Sequence, residues 1–526
     1  MHTNRHLIAA GVAAGLCLLA VAAVAQEAAG VEAAPLATPA TPTAAPPAAV
    51  AAQTPPDTTW WPAGLSAIVE DRVVGRREPS VQVGRPLATD DARLDGEDLS
   101  EHRLRVGAEW KHPLQRWGVA DLRVAAQADL FAQTFDAAGT ASDPRLRQAW
   151  LEATTAVGRF GAGRTMSAWG LGIVAQPGLA DPLQFGLERG GSLVDRVQAA
   201  LLPAALWTKD PRKAFPLALV LAADRVARDG LADVDAGDEA YNAVAALLYR
   251  TTELELGVYG VVRTQTDAQG LDLNANIADL YGAWSTGKGA WKLKVSGEGA
   301  LVWGTTTWLR TANYPLQMDL QQYGGALRLD VSRRWLQARL ETGMASGDGR
   351  PLDGTLGTFR FAEDYRVGLV LFPHYLRRQT QATAQNLTDP RFAAQPPAGV
   401  AHVESEGAVS QAIYVNPVVR LQPHPRVAIL VGGVMASAPT VVADPFQTFL
   451  TGGKPIGPRG AADARALGLE LDGGVEGNLP LGAGFAVVAR LQGGWLLPGE
   501  AFADASGASA DAVGVAEGSV ALSGQW

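Results

Sequence analysis

The 526-residue sequence contains a single cysteine, which excludes a disulfide framework and a zinc site built from cysteines. Its formal charge of -9 includes no basic excess, which argues against nucleic acid as a partner. Repeated runs of about 20 apolar residues, which a polytopic helical membrane protein needs, are also missing. There is no Gly-x-Ser-x-Gly or HExxH motif, and the seven histidines show no paired spacing. We therefore expect a protein that is not an enzyme and needs no cofactor and no metal.

The N-terminal region has the features of an exported protein. Arg5 precedes an apolar stretch and an Ala-Val-Ala cleavage pattern, so residues 1–25 are predicted to be a secretory signal peptide, with a single membrane anchor as the alternative. Residues 26–58 are rich in alanine and proline and predict a disordered linker. Residues 59–100 are predicted to form a periplasmic or plug-like segment, although they could also add a strand or contact a partner.

From residue 101 to residue 526 the dominant pattern is the alternation of apolar and polar residues, as in 103–110 and 291–303. A period of two is typical of β-strands, and these stretches run to ten or more residues, whereas strands of soluble proteins average about five or six. Short turns alternate with long polar loops, as in outer-membrane barrels. Lipid does not tolerate an open sheet edge. We therefore predict an all-β fold, a transmembrane antiparallel β-barrel of about 18 strands (16–20).

The two faces of the predicted strands give two sets of candidate residues. Charged residues opposite the apolar face are predicted to line the pore; they are Arg103, Arg105, Glu109, Arg123, Asp129, Glu152, Arg164, Lys292, Lys294, Glu298, Arg328, Asp330, Arg339, Glu341, Glu470, Asp472 and Arg490. The alternative is that they only keep the lumen wet and pair across strands. Tryptophans on the apolar face are predicted to form membrane girdles; they are Trp110, Trp291, Trp303, Trp495 and Trp526.

Two details refine these sets. Trp291 and Trp303 are twelve residues apart on one face, a span of roughly 30 Å along the barrel axis and close to the height of a membrane's apolar band. Arg164 is our first candidate for a role in permeation, and we expect it to point inward beside Trp169.

Two local motifs carry a family resemblance. Residues 163–173 read GRTMSAWGLGI and are followed by Asp195-Arg196; further on, Ser346-Gly347-Asp348 precedes the strand-like stretch 359–369. This arrangement resembles an uncharacterised family of delta-proteobacterial outer-membrane β-barrels and is similar in pattern to alginate-export and other polysaccharide-export porins. The resemblance implies an 18-stranded barrel, export of a surface polysaccharide and a periplasmic polysaccharide-export protein as partner. The balanced charges of the candidate lumen depart from a cationic, alginate-type pore.

We therefore predict an outer-membrane channel of a Gram-negative bacterium that passively conducts a hydrophilic solute, with export of a secreted polysaccharide as the main hypothesis. A general diffusion porin for small solutes is one alternative, and a non-conducting surface adhesin or scaffold barrel is another. The predicted partners are outer-membrane lipid and the barrel-insertion machinery, which would read the C-terminal Trp526, on one face with Val520 and Leu522.

Overall fold

The computed structural model describes residues 64–84, 92–116, 118–135, 139–206, 215–310, 313–314, 316–392 and 396–526. The predicted signal peptide and linker lie outside the described residues. None of the described helices is both long and apolar enough to cross a membrane.

Eighteen antiparallel strands form the barrel, as predicted. They are β1 Leu65–Glu78, β2 Glu97–Arg116, β3 Val119–Phe135, β4 Gly139–Thr155, β5 Gly158–Met166, β6 Leu193–Leu201, β7 Leu217–Arg228, β8 Glu239–Arg250, β9 Leu254–Thr266, β10 Asp272–Lys288, β11 Trp291–Thr306, β12 Met318–Arg333, β13 Leu336–Ala345, β14 Ala412–His424, β15 Val427–Ser437, β16 Ala466–Gly482, β17 Phe485–Pro498 and β18 Val513–Gln525. Each strand pairs with its neighbours in the sequence, and β1 pairs with both β2 and β18. The sheet is therefore closed and has no free edge.

The barrel begins earlier than the sequence pattern indicated. We expected it to start at residue 101 and to be preceded by a plug-like segment, whereas Leu65–Glu78 is a full barrel strand that closes the sheet and β2 already begins at Glu97. Of the three alternatives for residues 59–100, the added strand is the one seen for this part of the segment. Its outward positions include Asp71 and Arg77, so the apolar face that marks the other strands is interrupted here.

Alternation along each strand separates an apolar outer face from a polar inner face. In β11, Val295, Leu301 and Trp303 are exposed on the outside of the barrel, whereas Ser296 and Glu298 between them are buried inside. Because a strand turns successive side chains to opposite faces, this difference follows directly from the period of two. The outer surface thereby gains an apolar band, which the charged outward residues of β1 interrupt.

Long connections leave one end of the barrel and fold into it. The other end has tight turns, for example 156–157, 289–290 and 425–426, and it also holds the N-terminal start of β1 and the C-terminus. The first inward loop, residues 167–192, and the second inward loop, residues 346–411 apart from 393–395, pack against each other inside the barrel. Trp169, Ile173 and Phe185 of the first meet Phe361 and Phe372 of the second in one apolar core. The protein's main core therefore lies within the lumen.

Two helices complete this interior. The second inward loop contains a π-helical turn, Leu371–Leu376, that continues into α1, Arg377–Thr388. A short helix, α2, Pro445–Leu450, begins at Asp444, whose side chain accepts a hydrogen bond of 2.7 Å from the Gln447 N–H and so caps the helix. These elements narrow the long-loop end of the barrel.

Candidate functional site: the barrel lumen

Ion pairs between neighbouring strands cover much of the inner wall. Arg105 of β2 and Asp129 of β3 lie directly opposite each other and form two hydrogen bonds of 2.7 Å, a bidentate pair. Further pairs between adjacent strands join Arg123 to Glu109, Arg328 to Glu341, Arg339 to Asp330 and Arg490 to Glu476. Arg420 also pairs with Glu476, across the intervening strand β15. Cross-strand pairing, the simpler interpretation of these charges, is thus part of what they do.

A group of arginines on β1 and β2 fixes the first inward loop to the wall. Glu188 of that loop lies 2.7 Å from both Arg72 Nη1 and Arg103 Nη2. Arg103, which is fully buried, also pairs with Glu70 of β1. Burial alone would raise the pKa of Glu188, but the charges of Arg72 and Arg103 outweigh it and hold the pKa well below its ordinary value. The loop is therefore attached through a buried ionic cluster.

Wall carboxylates also accept hydrogen bonds from the backbone of both inward loops. Glu298 accepts from the N–H of Leu171 and, at 2.9 Å, from that of Gly172. Glu470 accepts from Leu369, Val370 and Leu371 at 2.5, 2.7 and 2.6 Å.

Both of these contacts require a glycine in the loop. Gly170 and Gly368 have positive φ angles of 53° and 71°, and a Cβ at either would lie 2.5 Å from a carboxylate oxygen of Glu298 or Glu470. The backbone can therefore approach the two wall carboxylates only because these positions carry no side chain.

The two inward loops also bind each other. Asp364 of the second loop accepts hydrogen bonds from the N–H groups of Arg189, Gly190 and Gly191 in the first, at 2.7, 3.0 and 2.6 Å. Asp181 of the first loop reaches the wall at Arg339, 2.6 Å away. Glu188, Asp181 and Asp364 were not among the predicted site residues, because loops that fold inward have no periodic pattern.

Most of the predicted pore-lining residues do lie on the inner face of their strands. These are Arg103, Arg105, Glu109, Arg123, Asp129, Glu152, Lys292, Lys294, Glu298, Arg328, Asp330, Arg339, Glu341, Glu470, Asp472 and Arg490. They differ in their surroundings: Arg103, Glu298 and Glu470 are buried beneath the loops, whereas Lys292 and Lys294 are exposed near the short-turn end. Their role in permeation stays a prediction.

Arg164 does not point into the lumen. It lies on the same face of β5 as the exposed Phe160 and Ala162, and it pairs with Asp195 through two hydrogen bonds of 2.7 Å. Asp195 shares the outer face of β6 with Val197, which is 65% exposed. The prediction that Arg164 points inward beside Trp169 is therefore wrong. The motif that suggested it spans the end of β5, where Trp169 belongs to the inward loop and Arg164 still belongs to the strand.

The five predicted girdle tryptophans lie at different heights along their strands. Trp110, Trp291 and Trp526 lie near the short-turn end, Trp303 lies near the long-loop end, and Trp495 is exposed on the outer face of β17. Trp526 donates a hydrogen bond of 3.0 Å to the Ala483 carbonyl and packs edge-on against Phe485. The exposed Trp284 and Trp335, also at the short-turn end, were missed. Contact of these rings with lipid headgroups stays a prediction.

The long-loop end contains a cavity of about 1130 Å³. Its wall is formed by the inner faces of β9 to β12, and its opposite side by the second inward loop and α2. Because the cavity depends on where the loops fold, no pattern in the sequence indicated it.

No protein-family model and no curated protein matches the sequence. Among solved structures, OccK2 (OpdF) of Pseudomonas aeruginosa, solved in complex with glucuronate, is 9% identical, with 88% of this chain and 97% of that chain covered and a TM-score of 0.48. The outer membrane protein OpdK of Pseudomonas aeruginosa is 9% identical (88% and 99% covered, TM-score 0.46), as is OccAB4 of Acinetobacter baumannii (88% and 98%, TM-score 0.46).

These similarities do not test the resemblance to delta-proteobacterial or alginate-export barrels, which stays a prediction. The outer-membrane localisation follows from the closed sheet and its outward apolar band. In lipid, only a closed barrel provides hydrogen-bond partners for all the backbone N–H and C=O groups of a sheet. The protein is an 18-stranded β-barrel of the outer membrane of a Gram-negative bacterium.

Proposed function

We propose that the protein is a general diffusion channel that passively conducts small hydrophilic solutes and carries out no chemical reaction. The observation that carries the proposal is the lumen itself: its wall is charged and its bore is narrowed by two loops fixed to that wall. A barrel of about 18 strands leaves an aqueous interior unless it is plugged. Loops that fill part of that interior limit the size of a solute.

Export of a secreted polysaccharide is less well supported than this alternative. A polymer needs a bore through which a chain can thread, whereas here the main apolar core lies inside the barrel. The near balance of inward charges also provides no cationic track for a polyanion. The suggested periplasmic export partner and the reading of Trp526 by the barrel-insertion machinery stay predictions.

Swelling of proteoliposomes in isosmotic sugar solutions tests the proposal. We expect swelling rates that fall steeply from a pentose through a hexose to a disaccharide, with glucuronate included as a charged hexose-sized solute. Protein-free liposomes are the control. Passage of a long dextran would favour polysaccharide export instead. No swelling with any solute from protein that is demonstrably folded would favour the scaffold hypothesis.

A further inference from the structure

The cavity at the long-loop end has an unusually apolar wall for a channel of hydrophilic solutes. On the inner faces of β9 to β12, the positions facing it include Val261, Leu273, Ile277, Val302 and Leu320. Inward positions of a water-filled barrel are ordinarily polar. An apolar concave surface of this size favours a ligand with an apolar body, because burying such surface is worth roughly 25 cal/mol per Å².

Aromatic side chains of the loops face this wall across the cavity. Phe359 and Phe361 come from the second inward loop, and Phe446 and Phe449 come from α2. Their rings could contact both an apolar body and, through their π-faces, a cationic group.

Acidic side chains outnumber basic ones around the same cavity. The acidic set is Asp229, Asp348, Glu363, Glu406 and Asp444, and the basic set is Arg263, Arg310 and Arg360. Asp229 and Arg263 neutralise each other at 2.6 Å, which leaves four carboxylates against two guanidinium groups. The remaining charge is therefore negative.

Two of these acids differ from wall carboxylates such as Glu298 and Glu470, which accept hydrogen bonds from the inward loops. Within the described part of the chain, no ion pair or hydrogen bond reaches the carboxylates of Glu363 and Glu406, although the Arg189 guanidinium donates to the main-chain oxygen of Glu406. Burial raises the pKa of Glu363. Glu363 is partly buried whereas Glu406 is exposed, so the cost of an unpartnered carboxylate falls on Glu363, and a cation would relieve it.

The cavity also contains unpartnered neutral groups. Among the described residues, Gln379 Oε1 and Trp308 Nε1 have no hydrogen-bond partner, and both residues line the cavity while being only 1% and 6% exposed. The Trp308 ring is fixed by stacking on His402, with centroids 3.6 Å apart. An amide oxygen without a partner is a ready acceptor for the polar head of a ligand.

We propose that this cavity binds amphipathic cations, molecules with an apolar body and one positively charged head. The body lies against Ile277 and Val302, and the head lies near Glu363 and Glu406. The inference rests on the proposed channel, because the cavity lies at the mouth of its lumen, and it specifies which small solutes that channel concentrates. Removing the positive charge of the ligand and removing its apolar body should therefore each weaken binding.

Isothermal titration of the folded, detergent-purified protein tests this. Benzyltrimethylammonium is the probe, tetramethylammonium supplies the same head without the ring, and benzenesulfonate supplies the ring with the opposite charge. We expect the probe to bind at least about tenfold more tightly than either comparison ion. Exchanging both acids, Glu363→Gln with Glu406→Gln, should weaken the probe about fivefold or more, and Ile277→Asn should weaken it independently. Glu253→Gln, in an exposed turn at the opposite end, is the matched control.

Each outcome decides the matter. The proposal would be overturned by equal binding of all three ions, or by tighter binding of benzenesulfonate. It would also be overturned if the parent protein and the Glu363→Gln, Glu406→Gln double variant gave identical titrations, which would indicate that the probe only partitions into the micelle. Binding is measured without any flux. A protein that conducts sugars but does not bind the probe loses the cavity site alone, and a protein that binds the probe but does not conduct loses the channel alone.

Discussion

At the scale of single residues, some charges inside this barrel pair across strands and others attach the inward loops to the wall. Glu188 is the clearest case, since it is 10% exposed and lies between Arg72 and Arg103. Removing one partner of a buried ion pair leaves the other charges uncompensated and costs about 3–5 kcal/mol. Here Arg72 retains Glu101 and Arg103 retains Glu70, which moderates the loss.

We therefore predict that Glu188→Gln lowers the free energy of unfolding by about 3 kcal/mol, measured by urea titration in lipid or detergent. Glu253→Gln, on an exposed turn, should change it by less than about 0.5 kcal/mol. Equal effects of the two substitutions would show that the buried cluster is not what fixes the loop.

The same carboxylate gives a pH prediction. The pKa of Glu188 is depressed in the folded protein, so its contribution is fully present above its unfolded pKa of about 4.3 and is lost as pH falls through the depressed value. The difference in the free energy of unfolding between the parent protein and Glu188→Gln should therefore be constant between about pH 5 and pH 8, where Glu188 is ionised in both the folded and the unfolded state. It should shrink only in stronger acid. A difference that already changes between pH 6 and pH 8 would refute this assignment.

The outward position of Arg164 predicts that Arg164→Gln leaves ion selectivity unchanged, because the side chain faces away from the lumen and pairs with Asp195. Lys294→Gln should shift ion selectivity towards cations, because it removes a positive charge exposed on the inner face. Reversal potentials in a salt gradient compare the two. A selectivity change from Arg164→Gln and none from Lys294→Gln would contradict the described faces.

Residue faces could be predicted wherever a strand alternates without interruption. Arg105 and Asp129 were placed correctly because each lies within a long alternating stretch. Arg164 was not, because its strand ends two residues later and the motif continues into a loop. At the ends of strands, the period of two alone no longer determines which way a side chain points.

At the scale of elements, the inward loops are attached to the wall through hydrogen bonds and ion pairs with defined wall residues. Glu470 accepts three consecutive N–H groups of the second inward loop, and an unsatisfied buried N–H costs about 1–3 kcal/mol. Glu470→Ala should therefore release the loop locally.

We predict that Glu470→Ala raises single-channel conductance and adds current fluctuations, because the released segment no longer narrows the lumen. Glu152→Ala is the matched control. Glu152 also faces inward, but among the described residues it accepts a hydrogen bond only from Trp150 Nε1 on its own strand, at 3.5 Å. An unchanged conductance in Glu470→Ala would mean that this loop does not limit the pore.

The strands could be predicted from the sequence, whereas the loops could not. A period of two is a local property and is visible in one chain. The path of a long loop depends on distant partners, such as Glu298 with Gly172 or Asp364 with Gly190, that lie more than 100 residues apart in the sequence. For β1, charged residues such as Asp71 on the outer face concealed the pattern.

At the scale of the whole molecule, the cost of placing a charged residue in the outer apolar band should depend on its depth in the membrane. Leu327, 62% exposed, lies opposite Gly297, midway between Trp291 and Trp303, whereas Gln321 lies opposite Trp303 near the rim. We predict that Leu327→Arg lowers the free energy of unfolding in phospholipid vesicles by about 2–4 kcal/mol and that Gln321→Arg lowers it by at most about 1 kcal/mol. Equal costs at the two positions would argue against a lipid-facing band.

The central claim is that the apolar outer face meets lipid while the charged inner face encloses a continuous path for water and small solutes. Planar-bilayer recording of the purified, folded protein tests it most directly. The account predicts discrete current steps that persist in each inserted molecule and grow with salt concentration. Insertion without any measurable current, from protein whose folded state is verified in the same preparation, would contradict it.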